Sequence, residues 1–234
     1  KDDMRRSIHF VPGGNEKMFN KALSLPADSL ILDLEDSVTP QNKDSARVEV
    51  CEWLCSADFG GREKLVRMNP IDSAWGRSDL EAIIACKPDG IVVPKVLDSK
   101  SVNAVSEVIK SKETEAGLEE GGISLLLIGT EEAGAVFNLP TMVSHPRVDG
   151  LTWGAEDLSV SLGARAKRDE HGNYLEVFSF VRSMCLLAAV AARVQPIDAV
   201  YTDIKNLKGL QAECKTAADM GYTGKLTIHP DQIE

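Results

Sequence analysis

Leu30-Ile31-Leu32-Asp33-Leu34-Glu35-Asp36-Ser37 is a short, nearly continuous apolar run that ends abruptly in acids. An antiparallel strand with one wet face would alternate apolar and polar residues. A run without alternation suits a parallel strand buried on both faces. The same plan recurs on either side, at Ile8–Val11, Leu65–Met68, Ile91–Pro94, Leu125–Ile128, Gly150–Trp153, Ala199–Tyr201 and Leu226–Ile228. Between the runs lie stripes with helical spacing, such as Val102, Val105, Val108 and Ile109, or Leu207, Leu210, Cys214, Ala217 and Ala218. Strand starts fall roughly every 30 residues, the size of a βαβ unit. Eight such units predict an α/β fold, a (β/α)8 TIM barrel, occupying residues 1–234 as one domain. A doubly wound sheet is the competing arrangement, but no G-x-G-x-x-G or P-loop follows any strand.

The remaining composition narrows the function. The chain has 234 residues and a net formal charge of −10, which argues against nucleic-acid or anionic-membrane binding. The most apolar stretch, Met184–Ala192, is closed by Arg182 and Arg193, well short of the ~20 residues a membrane span needs. The N-terminal Lys1-Asp2-Asp3-Met4-Arg5-Arg6 leads into a strand rather than a signal-peptide core. Five cysteines (Cys51, Cys55, Cys86, Cys185, Cys214), with no C-x-x-C pair, read as free thiols in a reducing cytoplasm. Glu113–Gly122 and Arg165–Asn173 read as exposed loops, the second interrupting a βα unit where barrels place active-site insertions. The chain stops at the start of what should be an eighth helix, so a C-terminal segment is expected to be missing.

Barrels concentrate their chemistry where strands end. The polar residues there are Pro12–Asn15, Glu35, Asp36, Arg67, Asn69, Lys95, Glu131, Glu132, Glu156, Asp157, Asp203 and His229. A ring dominated by acids repels itself unless a hard cation balances it, and Mg2+ is the natural candidate. Each residue also has a structural reading: Asp36 and Asp157 as helix caps, His229 as a packing residue that satisfies backbone groups. Arg67, inside an apolar strand, needs an anionic partner, either Glu35 or Asp36 or the carboxylate of a substrate. No H-x-x-x-H or H-x-H spacing offers zinc a site, and no G-x-S-x-G elbow supports a serine hydrolase.

Seven ordered motifs cover nearly the whole chain: Arg6-Ser7-Ile8-His9-Phe10-Val11-Pro12-Gly13, Leu32–Val38, Val66-Arg67-Met68-Asn69, Val93-Pro94-Lys95-Val96, Glu131-Glu132-Ala133-Gly134, Gly154-Ala155-Glu156-Asp157-Leu158 and Gly224–Pro230. In these the chain resembles the CoA-ester lyases of the citrate lyase β-subunit-like group, within the HpcH/HpaI aldolase superfamily. The resemblance implies Mg2+-dependent carbon–carbon cleavage of a 3-hydroxy-3-carboxyacyl-CoA, such as citramalyl-CoA or malyl-CoA, into acetyl-CoA and a 2-oxo acid, pyruvate or glyoxylate. It also implies Glu131 and Asp157 as metal ligands and Arg67 as the catalytic residue that grips the oxo-acid carboxylate. Phe10, Lys17, Lys21, Ile228 and His229 would line the CoA-thioester site, with Glu35 and Asp36 holding metal-bound waters and orienting Arg67.

Lys17 and Lys21, four residues apart on the first helix, could both face CoA phosphates or simply form a solvated face. Relatives usually have Val-Glu-Thr where this chain has Gly129-Thr130-Glu131-Glu132, so Glu132 rivals Glu131 as the ligand, register favouring Glu131. Relatives also carry an acidic catalytic residue in a C-terminal lid that reaches a neighbouring subunit, and that segment is expected to be missing from these residues. A homo-oligomer, trimer or hexamer, is implied, and a carrier-protein partner is open. Three alternatives stand beside the lyase: a malyl-CoA-type thioesterase, a pyruvate-type metal aldolase, and a citrate lyase β subunit acting on a carrier-bound citryl thioester within a complex.

Overall fold

The computed structural model describes residues 5–234; Lys1–Met4, read above as leading into a strand, lie outside the described residues. Along the chain run β1 (Ser7–Pro12), α1 (Glu16–Ala22), β2 (Ser29–Asp33), α2 (Lys43–Ser56), β3 (Glu63–Arg67), α3 (Gly76–Ile83), β4 (Gly90–Val93), α4 (Ser99–Glu115) and β5 (Ser124–Ile128). They continue with α5 (Ala133–Val136), α6 (Leu139–Met142), β6 (Val148–Thr152), α7 (Ala155–Leu162), α8 (Glu176–Ala191), β7 (Gln195–Asp198), α9 (Leu207–Met220) and β8 (Gly224–Thr227). The eight strands close in sequence order into an all-parallel barrel, β1 pairing with both β2 and β8. The expected (β/α)8 barrel is the observed fold.

Residues two apart on a strand share a face, so each strand feeds two cores. Ile8, Ile31, Leu65, Val92, Leu126, Ile128, Ile197 and Leu226 fill the barrel interior, with Phe10 packed against them. The alternate residues, among them Leu30, Leu32, Val66, Ile91 and Leu125, meet the helices in the outer core. The same count carries the interior face of β2 from Ile31 to Asp33, and that of β3 from Leu65 to Arg67. Both polar residues therefore enter the top layer of the barrel at its C-terminal mouth. Gly13 lets β1 end tightly against β2: its N–H donates to the Asp33 carbonyl at 2.7 Å, and a Cβ there would lie 2.5 Å from that oxygen.

Three local expectations are corrected. The seventh strand is Gln195-Pro196-Ile197-Asp198, one step before Ala199–Tyr201, which form the loop beyond it. Proline ordinarily argues against a strand, yet Pro196 keeps its carbonyl engaged, accepting from the Thr223 N–H at 3.2 Å. In α9 the buried face is Leu210, Glu213 and Ala217, whereas Leu207 and Ala218 are exposed. Glu113 is no loop residue: it is fully buried in α4, where Arg147 donates to both its carboxylate oxygens at 2.7 and 2.6 Å. Arg165–Asn173 does form an exposed connection between α7 and α8, as expected. Within it Arg168 stacks on Tyr174 at 3.8 Å and donates to Glu213 at 2.8 Å. Among the described residues, no helix is long and apolar enough to cross a membrane.

Candidate active site

A cavity of about 390 Å³ opens at the C-terminal mouth of the barrel. Its floor and walls include Phe10, Met18, Ile128, Trp153, Val200, Leu226 and Ile228, and its polar lining includes Asp33, Asp36, Arg67, Glu131 and Asp157. Arg67 is the anchored cation of the site. Its Nε and Nη2 donate to the two Asp33 oxygens, both at 2.7 Å. Its Nη1 lies 3.3 Å from Glu35 Oε1, and its guanidinium lies over the Phe10 ring, 4.8 Å from the centroid. Asp33 is itself fixed by the backbone, accepting from the Glu35 N–H at 2.9 Å and the Ser37 N–H at 3.2 Å. The pairing holds the Asp33 carboxyl below the ordinary carboxylate range despite its burial, and pushes the Arg67 guanidinium further up. A guanidinium has five donors in a planar fork. Asp33 takes the Nε/Nη2 edge, which leaves the Nη1/Nη2 edge for a second carboxylate.

Glu131 and Asp157 form a carboxylate pair. Glu131 follows β5 and is buried, while Asp157 lies in the first turn of α7, whose cap position is Gly154. Asp157 is therefore not the helix cap. Burial, reinforced by a hydrogen bond with Asp157 and by its charge, pushes the Glu131 carboxyl up to about 8, against the pull of Lys95. Burial likewise raises Glu35 to about 7, although Arg67 and Lys95 oppose it. Two acids that close together share a proton unless a cation separates them. Oxygen-only donors at a strand-end mouth suit a hard divalent ion such as Mg2+, which needs only one or two carboxylates and completes its shell with water and substrate oxygens. Among the described residues, no group of three or more His, Cys, Asp or Glu forms a ready cage. Glu132 is exposed at the cap position of α5, away from this lining.

The other sequence candidates divide. Phe10 and Ile228 line the cavity. Lys17 and Lys21 are exposed on α1, whose Met18 is the residue that reaches the cavity. His229 stands just beyond β8, its Nδ1 accepting from the Asp231 N–H at 3.1 Å, outside the cavity lining. Glu35 contacts Arg67 and so can orient it. Asp36 does not share that role: it faces the Lys95 ammonium at 3.5 Å instead. The reason is register, since Asp33, and not Asp36, is the strand partner of Arg67.

Sequence reasoning passed over Asp33 and Trp153. Counting two residues from Ile31 would have found Asp33. Trp153 follows the β6 run directly; its Nε1 donates to the buried Asp198 at 2.8 Å and its ring meets Tyr174 edge-on at 5.0 Å between centroids.

An eight-stranded parallel barrel whose strand ends gather an anchored arginine and a carboxylate pair defines the class as a (β/α)8 TIM barrel. The chain belongs to the HpcH/HpaI aldolase/citrate lyase family, whose model matches residues 6–230. It is 36% identical over 229 residues to the (3S)-malyl-CoA thioesterase of Cereibacter sphaeroides, covering 98% of this chain and 74% of that protein. It is 35% identical over 230 residues to the citrate lyase subunit beta of Escherichia coli K12, with the same two coverages. Among solved structures, protein CitE from Mycobacterium tuberculosis in complex with magnesium, acetoacetate and coenzyme A superposes with a TM-score of 0.81 at 32% identity, covering 98% of this chain and 78% of that one.

Proposed function

We propose that this chain is a Mg2+-dependent carbon–carbon lyase. It cleaves, and in reverse builds, a 3-hydroxy-3-carboxyacyl-CoA such as citramalyl-CoA or malyl-CoA, giving acetyl-CoA and pyruvate or glyoxylate. The observation that carries the reading is Arg67, fixed by Asp33 through its Nε/Nη2 edge, in the same cavity as the Glu131–Asp157 pair. The CitE complex with magnesium, acetoacetate and coenzyme A supports the ligand classes, and the family match supports lyase chemistry.

In this reading Arg67 binds the substrate carboxylate through its Nη1/Nη2 edge and orients the adjacent C–C bond, while Phe10 keeps the guanidinium plane in place. Glu131 and Asp157 would hold Mg2+. When bound, the cation would supply Lewis-acid polarisation, easing loss of the hydroxyl proton as the new carbonyl forms. The electrons of the broken C–C bond pass to the thioester enolate, which takes a proton to become acetyl-CoA. The apolar lining from Met18, Ile128, Val200, Leu226 and Ile228 accommodates the acyl end and excludes water. Lys17 and Lys21 on α1 would attract the CoA phosphates, and His229 would flank the thioester arm.

The relative named (3S)-malyl-CoA thioesterase favours a second reading, hydrolysis of the thioester to free CoA. Trapping the released 2-oxo acid as its phenylhydrazone, with citramalyl-CoA and malyl-CoA as substrates, tests the first. Hydrazone formation that needs Mg2+, and that Asp157→Asn removes, is the expected result. Free CoA without hydrazone would establish the second.

A further inference from the structure

Among the described residues, Lys95 places its ammonium beside the carboxylates that would bind the metal and is not paired with Asp33. It follows β4 in a left-handed backbone conformation, φ +50°, unusual for a residue with a Cβ. From there its backbone N–H donates to Glu131 Oε2. Its ammonium donates to Glu35 Oε2, lies 3.5 Å from Asp36 Oδ1 and lies 3.9 Å from Asp157 Oδ2. One residue thus touches four carboxylates, two of them the candidate metal ligands.

We propose that Lys95 is a resident counter-cation of the site, holding Glu35, Asp36, Glu131 and Asp157 together before metal binds and competing with the divalent ion for their charge. This rests on the reading that Glu131 and Asp157 bind Mg2+. Four carboxylates confined at one mouth repel one another, and the ammonium offsets that repulsion. The same positive charge lies 3.9 Å from Asp157, so it opposes entry of a second cation by like-charge repulsion. Metal loading then requires the ammonium to give up its contact with Asp157 and remain with Glu35 and Asp36. The backbone N–H to Glu131 does not depend on the side chain and keeps that ligand aimed throughout. Lys95 is accordingly a positioning residue that sets metal affinity.

The test is a Mn2+ titration followed by electron paramagnetic resonance, on the wild type, Lys95→Gln, Lys95→Gly and Asp157→Asn, with melting temperature measured with and without the ion. Glycine preserves the left-handed backbone without the ammonium, so it separates charge from conformation. The wild type should bind Mn2+ and Asp157→Asn should not, which checks the underlying reading. Both Lys95 variants should bind Mn2+ about tenfold or more tightly than the wild type. Their metal-free forms should melt lower, and Mn2+ should raise their melting temperature more than it raises that of the wild type. A merely structural role would weaken the metal site, not strengthen it. Unchanged or weaker Mn2+ affinity in both variants, with wild-type binding intact, would overturn the inference alone. Absence of Mn2+ binding in the wild type and in every variant would overturn it together with the metal assignment.

Discussion

Asp33 and Arg67 are strand partners across β2 and β3, and their side chains close a two-point pair, Nε to Oδ1 and Nη2 to Oδ2, both at 2.7 Å. Backbone pairing and side-chain pairing thus coincide at the top layer of the barrel. The register of two strands fixes the direction of the cation that would read the substrate carboxylate.

Breaking one side of this buried pair leaves the other charge without its two-point partner, Glu35 at 3.3 Å compensating Arg67 only in part, a cost of up to about 3–5 kcal/mol. Asp33→Ala should therefore lower stability to denaturant by that order and raise KM for the carboxylate-bearing substrate. Arg67→Lys keeps the charge but loses the planar fork. It should retain most of the stability while losing substrate affinity, and urea unfolding together with steady-state kinetics would separate the two effects.

Glu131→Gln and Asp157→Asn should each reduce Mg2+-dependent turnover by more than about a hundredfold, with far-ultraviolet circular dichroism unchanged. Removing a like-charged neighbour relieves repulsion in the metal-free protein. The expected signature is loss of activity without loss of fold, and substantial residual turnover in either variant would contradict the ligand assignment.

Asp198 anchors the wall behind the cavity. It is 1% exposed and accepts from Trp153 Nε1 at 2.8 Å, Arg182 Nη2 at 2.8 Å and Lys225 Nζ at 2.9 Å. Asp198→Ala leaves the buried Arg182 without its carboxylate and the Trp153 indole N–H without an acceptor, while Lys225 keeps Glu213 at 2.6 Å, so it should destabilise by about 3–5 kcal/mol. Because Trp153 lines the cavity, the same change should alter substrate affinity, measured as KM on the fraction that remains folded.

His9 supplies a pH-dependent term. It is buried, its Nδ1 2.8 Å from Thr227 Oγ1, and burial together with the nearby His229 lowers its value from 6.5 to about 4. Between those values the unfolded chain takes up a proton that the folded chain refuses, so this contribution is full above pH 6.5 and is lost as pH falls toward 4. The difference in unfolding free energy between wild type and His9→Gln should therefore shrink or reverse across that window, by on the order of 3 kcal/mol. A pH-independent difference would contradict it.

How much of this was legible in the sequence follows from the physics of each signal. Continuous apolar strands at βαβ spacing make the barrel readable, because burial on both faces leaves no room for alternation. The acids and Arg67 at strand ends are readable for the same reason, since a charge breaking such a run needs a purpose. The seventh strand was misplaced because Pro196 masks it and the β-branched Val200 just beyond it resembles one. Glu113 was misread because a buried ion pair removes the cost that normally keeps acids outside. Asp33 lay inside a quoted motif and still went unassigned, since its role depends on which residue of β3 stands opposite. Lys95 was legible as a strand-end cation, but its reach to Glu35, Asp36 and Asp157 depends on a left-handed backbone that no local pattern announces.

The most direct test of the central claim is the ratio of acetyl-CoA to free CoA formed from citramalyl-CoA and malyl-CoA, with and without Mg2+, quantified by mass spectrometry. The account predicts acetyl-CoA as the thioester product, matched mole for mole by pyruvate or glyoxylate, only when Mg2+ is present. Free CoA with the hydroxy diacid intact, or turnover indifferent to Mg2+, would contradict it.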